Sequence, residues 1–372
     1  MEEISLLKDR HIVLGVTGSV AAYKAVDLAS KLTQAGASVH VIMTEPAQQF
    51  VSPLLFRSVT GHAALIDMWQ LDDHVQHVQL GEQADLLLLA PATANTIAKL
   101  AHGLADNLLT VTALAARCPV LLAPAMDGGM FEHPATQENL AVLNDRGVTI
   151  VGPAEGRMAS GLIGLGRMSE PDELLASVRL ELAAGGPLAG QKVVVTTGPT
   201  REHLDPVRFI SNRSTGKQGL AVAQAALDAG ADVTLISVQI CEEAPFGVKL
   251  INVESTDEMG KATCKSIKDA DALFMVAAVA DFRPGERSEK KLKKTGGEQW
   301  GRAIGLEPTL DVLTAVKGNR EKTGYPRVVL GFAAETHNAF EYGREKLLRK
   351  GLDFIAVNDV LEDGAGFAVD TN

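Results

Sequence analysis

A chain of 372 residues is too long for one ordinary hydrophobic core, so length alone predicts two domains. Thirty-five Lys and Arg against 46 Asp and Glu leave a formal net charge of −11, which argues against a protein that neutralises a nucleic-acid backbone. A 46% hydrophobic, 22% charged composition excludes wholesale disorder, and three scattered cysteines (Cys118, Cys241, Cys264) without a CxxC pair exclude a disulfide framework and imply a reducing, cytoplasmic setting.

The amino terminus, MEEISLLKDR, has neither the basic start nor the apolar stretch of a signal peptide. The longest apolar runs, such as 86–92, fall far short of the ~20 residues of a membrane span. Apolar runs of strand length alternate with segments of helical period, the pattern of a parallel sheet covered by helices on both faces. Strands are expected at 11–17, 39–43, 85–90, 119–123 and 148–151, and again at 192–197, 232–237, 271–276, 327–331 and 353–357. Each half opens alike: HIVLGVTGS and KVVVTTGPT are each a strand running into a glycine loop, and each is followed by a helix closed by Ala-Gly and a second strand. The Gly- and Pro-rich segment AAGGPLAGQ between them predicts a boundary near Gly186, giving domains 1–186 and 187–372. The charged stretch 280–300 predicts a mobile surface flap.

In doubly wound sheets ligands sit beyond the carboxyl ends of the strands, so the residues just after each strand are the informative ones. GVTGSVAAYK (15–24) leads into a helix whose free N–H groups suit a phosphate, although its spacing is not the dinucleotide GxGxxG and a plain turn reads the loop equally well. With LAPATANTIAKLAHGLADNLL (89–109) and APAMDGGM (123–130), the first half resembles the flavin-dependent cysteine decarboxylases. GPTREHLDPVRFISNRSTGKQG (198–219), AAVADFRP (277–284), KLKK (291–294) and GFAAET (331–336) make the second half similar to phosphopantothenate–cysteine ligase. The order matches the bifunctional decarboxylase/ligase family of bacterial coenzyme A synthesis. The resemblance implies a flavodoxin-like FMN-binding domain followed by a Rossmann-like doubly wound ligase domain, in an α/β chain.

For the ligase half the resemblance implies that the 4′-phosphopantothenate carboxylate attacks the α-phosphate of CTP and that the amine of L-cysteine then displaces CMP. Such transfer rests on positioning and charge neutralisation, so lysines and Mg2+ belong around the triphosphate. The family's CTP-contacting positions fall on Asp281, Lys291, Thr309, Asp311, Val312, Phe332, Lys346 and Lys350, with Asp281 also a Mg2+ candidate. Lys346 and Lys350 are one turn apart and share a helix face. Asn212 matches the residue that stabilises the acyl cytidylate, Arg208 stands beside it in the motif, and Lys217 at a helix start suits the substrate phosphate.

For the first half the resemblance implies that FMN oxidises the cysteinyl thiol of phosphopantothenoylcysteine, after which carbon dioxide leaves and the product is reduced and protonated to 4′-phosphopantetheine. Gly18, Ser19, Thr44, Ala92, Thr93 and Asn95 match FMN-contacting positions, and His77 matches the catalytic histidine, a residue suited to proton transfer near neutrality. Two positions depart from the pattern. Asp127 stands where the family's asparagine holds the substrate carboxylate, and Ser160 where its proton-donating cysteine lies. An ionised Asp127 ~4 Å from the substrate carboxylate is repelled by on the order of 4 kcal/mol at an effective dielectric of ~20, about a thousandfold in rate. A serine hydroxyl is also a far weaker acid than a thiol of pKa ~8.5. Decarboxylation is therefore expected to be impaired, with a flavin-binding assembly scaffold as the alternative and a nicotinamide-dependent oxidoreductase as the second.

The family continues beyond FAVDTN through a further strand and helix, so a missing edge element is expected there. The family likeness further implies a homo-oligomer of trimeric flavin domains and dimeric ligase domains.

Overall fold

Strand β1 (His11–Val16) divides its side chains between two cores, as a strand covered on both faces must: Ile12, Leu14 and Val16 enter one, and Val13 the other. Strand β2 (Ser38–Met43) and strand β3 (Leu86–Ala92) flank it, and every residue of β3 is buried, which is why that segment reads as an unbroken apolar run. The computed structural model describes residues 6–68, 76–159, 161–238, 242–292, 304–359 and 361. The chain forms two units, Met1–Ala183 and Ala184–Asn372.

Strands β4 (Val120–Pro124) and β5 (Thr149–Ile150) complete a parallel sheet of order β2-β1-β3-β4-β5, the flavodoxin-like arrangement. Helix α1 (Ala22–Gln34) and helix α2 (Pro53–Thr60) cover one face, where Leu28, Leu32 and Phe56 are fully buried. Helices α3 (Gln76–Gln83), α4 (Ala94–His102), α5 (Leu108–Ala115) and, beyond the short α6 (Gly128–Phe131), α7 (Pro134–Asp145) cover the other. Strands β6 (Ala154–Arg157) and β7 (Ile163–Arg167) form an antiparallel hairpin, and α8 (Pro171–Ala183) returns to pack on α1.

Among the described residues, the main sheet of the second unit has six parallel strands. They are β8 (Lys192–Thr197), β11 (Asp232–Val238), β12 (Lys249–Val253), β13 (Ala272–Met275), β16 (Val328–Glu335) and β17 (Phe354–Asp359), in the order β12-β11-β8-β13-β16-β17. Numbered within the unit this is 3-2-1-4-5-6, the Rossmann order. Two hairpins interrupt the regular alternation: β9 (Arg201–His203) with β10 (Phe209–Ser211), and β14 (Phe282–Pro284) with β15 (Leu306–Pro308). Helix α9 (Lys217–Asp228) packs on β8 through Gly219, where a Cβ would stand 2.2 Å from Thr197 Oγ1. Helices α10 (Thr256–Ser266) and α11 (Val312–Thr323) share the core beneath the opposite face through Met259, Val312 and Val316, and α12 (Ala339–Lys350) lies against β17 with only Gly343 buried.

The alternation legible in the sequence corresponds to the two sheets, with differences at the edges. Strand β12 carries no expected strand, because an edge strand with largely exposed side chains lacks the apolar run that marks a buried one. The stretch 280–300, expected as an irregular flap, begins instead as β14, paired to β15; residues 293–303 lie outside the described residues. Among the described residues no helix is long and apolar enough to cross a membrane.

Candidate active sites

In the first unit the crevice between β1 and β3 is the topological switch point. Thr17, buried at the end of β1, closes it: its Oγ1 donates to the Pro91 carbonyl at 2.7 Å and accepts the Thr93 N–H at 3.1 Å. The loop after β1 and the turn into α4 are thereby held side by side. Gly18 passes so close to Pro46 that a Cβ would lie 2.6 Å from the proline Cβ, so only glycine fits the loop against the segment that starts at Thr44. Ser19 Oγ accepts the Ala21 N–H at 3.3 Å, and Thr93 caps α4 by accepting from Thr96 N–H.

Gly18, Ser19, Thr93 and Asp127 line one cavity of about 610 Å³, a size typical of small-molecule sites. The hairpin β6–β7 forms another wall through Arg157, Met158 and Arg167. It is docked on the turn after β4: Met126 N–H donates to the Gly166 carbonyl at 3.0 Å, and Gly128 N–H to Met158 Sδ at 3.1 Å. Lys24 of α1 also borders the cavity, its nearly buried ammonium donating to the Met168 carbonyl at 3.1 Å and to Glu170 at 2.8 Å. Asp127 is the N-cap of α6, its Oδ1 accepting the Gly129 N–H at 3.2 Å, so the carboxylate has a structural duty as well as a place on the cavity wall.

The remaining residues expected around the flavin are placed less directly. Thr44 N–H donates to the Val16 carbonyl at 3.0 Å, holding the head of the 3-10 turn beside the loop. Ala92 is fully buried and offers only backbone, its carbonyl accepting from Ala125 N–H at 3.0 Å. Asn95 is exposed in the first turn of α4 and does not line the cavity. His77 lies in the first turn of α3, and its side chain, like Ser160, is outside the described residues.

In the second unit, hydrogen bonds and an ion pair link several of the expected residues across long stretches of sequence. Asn212 Nδ2 donates to the carbonyls of Ala278 and Val279 at 3.1 and 3.2 Å. The exposed Asp281 follows, its carbonyl accepting the Thr309 N–H at 3.0 Å. Lys346 donates to the Phe332 carbonyl at 2.8 Å. Burial pushes its ammonium below the ordinary lysine range, while the carboxylates of Glu335 and Asp281 pull in the opposite direction. Lys350 is ion-paired with Asp311, the N-cap of α11, and donates to Thr314 Oγ1 at 3.1 Å. Burial opposes ionisation of Asp311, but hydrogen bonds from Lys350 and Thr314 outweigh it and hold the carboxyl below its usual range.

Two of the expected residues have partners of their own within the fold. Val312 sends its side chain into the core, as the first residue of α11 facing Met259 and Val316, so only its backbone can meet a ligand. Arg208, which shares a motif with Asn212, is held by a neighbouring carboxylate. Its Nε and Nη2 bind the buried Asp205, and Nη2 also donates to the Leu292 carbonyl at 2.9 Å. Asp205 in turn accepts the Leu292 N–H at 3.2 Å, so both amide groups next to the exposed Lys291 are clasped. Lys217, at the start of α9, lies 3.8 Å from Glu242.

Sequence reasoning missed Thr17, Lys24, Asp205 and the β6–β7 hairpin. The hairpin left a trace, since Gly-Arg-Met occurs at 156–158 and again at 166–168 on either side of a glycine-containing turn. Asp205 left the DPVR turn signal, which reads as a corner closed by an aspartate side chain. Thr17 and Lys24 left none, because their partners lie more than 70 residues away.

Residues 2–182 match the family model described as Flavoprotein, and residues 188–372 that described as DNA/pantothenate metabolism flavoprotein C-terminal domain. The chain is 44% identical over 372 residues to the coenzyme A biosynthesis bifunctional protein CoaBC of Bacillus subtilis, covering 99% of this chain and 90% of that protein. It is 45% identical to the protein of the same name from Mycobacterium tuberculosis, covering 98% and 89%. Among solved structures, a PPC decarboxylase mutant complexed with pantothenoylaminoethenethiol is 34% identical, covering 46% of this chain and 98% of that one at a TM-score of 0.43.

Proposed function

The chain belongs to the family of the coenzyme A biosynthesis bifunctional proteins, and on that premise we propose how its residues divide the work. It is a phosphopantothenate–cysteine ligase and a phosphopantothenoylcysteine decarboxylase, the latter using FMN. We assign decarboxylation to residues 1–186 and ligation to residues 187–372.

The cavity of the first unit fits a flavin mononucleotide. Gly18 supplies the close backbone approach, Ser19 and Thr93 supply hydroxyls beside two helix starts, and Met126 and Met158 supply apolar wall for a flat ring. FMN, when bound, supplies the two-electron chemistry that decarboxylation of a cysteinyl group requires. The chain's own residues bind and orient the substrate and move protons, with His77 assigned to proton transfer and Ser160 to the position of the final donor. Asp127 places a carboxylate where the substrate's own carboxylate must sit, and we assign to it a turnover slower than that of an asparagine-bearing relative.

In the second unit we assign CTP to the crevice bordered by Asn212, Asp281, Thr309, Phe332 and Lys346. The observation that carries this is the pairwise coupling of distant segments: 212 to 278–279, 281 to 309, 332 to 346 and 311 to 350. Lys346, with Lys291 and Lys350, neutralises the triphosphate as the phosphopantothenate carboxylate attacks the α-phosphate. Asp281 is the carboxylate available to a Mg2+ ion carried mainly by phosphate oxygens, a common arrangement for that ion. Asn212 holds the acyl cytidylate until the cysteine amine displaces CMP.

The test is to incubate the purified enzyme with phosphopantothenate, cysteine, CTP and Mg2+ and follow masses. Phosphopantothenoylcysteine and then phosphopantetheine are expected. Absence of the first refutes the ligase assignment, and accumulation of the first without the second refutes decarboxylation.

A further inference from the structure

Ala280 is a buried residue whose two amide groups are both held by side-chain hydroxyls. Its N–H donates to Thr200 Oγ1 at 2.9 Å, and its carbonyl accepts from Thr309 Oγ1 at 2.5 Å. It sits between Val279, whose carbonyl binds Asn212, and Asp281, whose carbonyl binds Thr309 N–H. Whatever holds Ala280 therefore fixes the backbone from which Asp281 extends.

Thr200 is itself held from behind. Its Oγ1 lies 3.0 Å from Thr256 Oγ1, and the Thr256 N–H and O–H both donate to Glu202 Oε1, at 2.9 and 2.8 Å. Because the single hydroxyl proton of Thr256 is committed to Glu202, the hydrogen in the contact between the two threonines comes from Thr200. Thr200 thus donates to Thr256 and accepts from Ala280, and its hydrogen-bonding directions are determined. All three residues are buried, Thr200 completely, and Thr256 opens α10, a long helix anchored in the core through Met259. Glu202 of β9 holds Thr256 at the head of α10, Thr256 contacts Thr200, and Thr200 holds Ala280; Thr256 Oγ1 also lies 3.5 Å from the Ala280 carbonyl, so both threonines bear on the loop at the site.

We infer that Glu202, Thr256 and Thr200 form a buried positioning relay that sets residues 278–281 for nucleotide binding, with Thr200 as the residue that transmits the constraint. None of the three needs to touch the nucleotide. The inference rests on the assignment of CTP to this crevice. Removing Thr200 Oγ1 leaves the Ala280 N–H buried and unpaired, so the loop must shift to rehydrate it and Asp281 moves with it.

The test compares CTP binding by calorimetry, and KM for CTP against kcat, in wild type, Thr200→Val and Thr200→Ser. Thr200→Val, nearly isosteric, is expected to weaken CTP binding and raise its KM by about tenfold, and Thr200→Ser, which keeps the hydroxyl, to recover most of the loss. A merely structural role would lower the melting temperature of Thr200→Val while leaving the CTP affinity of the folded protein unchanged, and that result overturns the relay. Should Thr200→Val fail to fold, Thr256→Val breaks the same relay one step back and must weaken CTP binding in the same sense; unchanged affinity there overturns the inference equally. Failure of the wild type to bind CTP would overturn the crevice assignment and this inference with it, a result distinct from normal wild-type binding that is unaffected in the variants.

Discussion

Asp205 and Arg208 form a closed corner: the buried carboxylate accepts Arg208 Nε at 3.0 Å and a second bond from Nη2, together with the N–H groups of Val207 and Arg208. The Arg208 guanidinium beside it holds the Asp205 carboxyl well below the usual carboxylate range. A depressed folded value means that the unfolded chain binds the proton more tightly. The corner's stabilisation is therefore present in full above the unfolded pKa of ~3.9 and is lost as pH falls toward the folded value. Thermal melts between pH 6 and 3 should show the transition of the second unit dropping at the acid end. Asp205→Asn should lower it at neutral pH and flatten the acid dependence, and an unchanged acid limb in that variant would contradict the assignment.

Gly219→Ala should destabilise the second unit. The new methyl would lie 2.2 Å from Thr197 Oγ1 and 3.1 Å from its Cα, so α9 must lift from β8, at a cost of ~1–3 kcal/mol for overpacking. Gly318→Ala is the control, since nothing lies within 4 Å of its Cβ position and it sits inside α11. Helix propensity alone should then stabilise by up to ~1 kcal/mol. Denaturant titrations of the two variants should move in opposite directions.

Gly18→Ala should empty the flavin site. A Cβ 2.6 Å from Pro46 forces the loop after β1 away from the segment 44–46, displacing Ser19 from the cavity. The purified variant is expected to carry less than about a tenth of the flavin absorbance of wild type, a loss of affinity near 1.4 kcal/mol or more. Full flavin content would show that this loop does not carry the cofactor.

Asp127→Asn should raise decarboxylation while leaving α6 intact. The amide oxygen can still accept the Gly129 N–H, and the amide nitrogen becomes a donor toward the substrate carboxylate. The gain in kcat/KM for phosphopantetheine formation is expected to reach between about tenfold and a thousandfold. A variant no faster than wild type would show that Asp127 does not oppose the substrate.

Lys346→Arg should change the pH dependence of CTP binding. Burial lowers the lysine's pKa, so its ammonium and the affinity it confers are lost at a lower pH than an exposed lysine would allow. Arginine remains charged throughout, so the alkaline fall in CTP affinity should begin at higher pH than in wild type, measured by calorimetry from pH 7 to 10. A fall at the same pH in Lys346→Arg as in wild type would remove Lys346 from the nucleotide site.

How much of this was legible in the sequence depended on the range of each interaction. The run Leu86–Ala92 reads as a buried strand because every residue in it meets apolar neighbours, and the glycines at 18 and 219 lie in motifs that announce close approach. Val312 shows the reverse case: its place in the TLDVL motif marks a helix start, whereas its side chain answers to the core. Arg208 shared a motif with Asn212, yet its ion pair with Asp205 depends on the backbone turning back within three residues. The relay through Glu202, Thr256 and Thr200 joins residues more than 50 positions apart, and neither composition nor periodicity carries that information.

Activation of phosphopantothenate as an acyl cytidylate by the second unit, as proposed, is read from the fate of the CTP phosphates. Attack on the α-phosphate requires one CMP and one pyrophosphate for each phosphopantothenoylcysteine formed, with pyrophosphate appearing in a burst before cysteine is added. CDP and inorganic phosphate, or product formed without consumption of CTP, would contradict it.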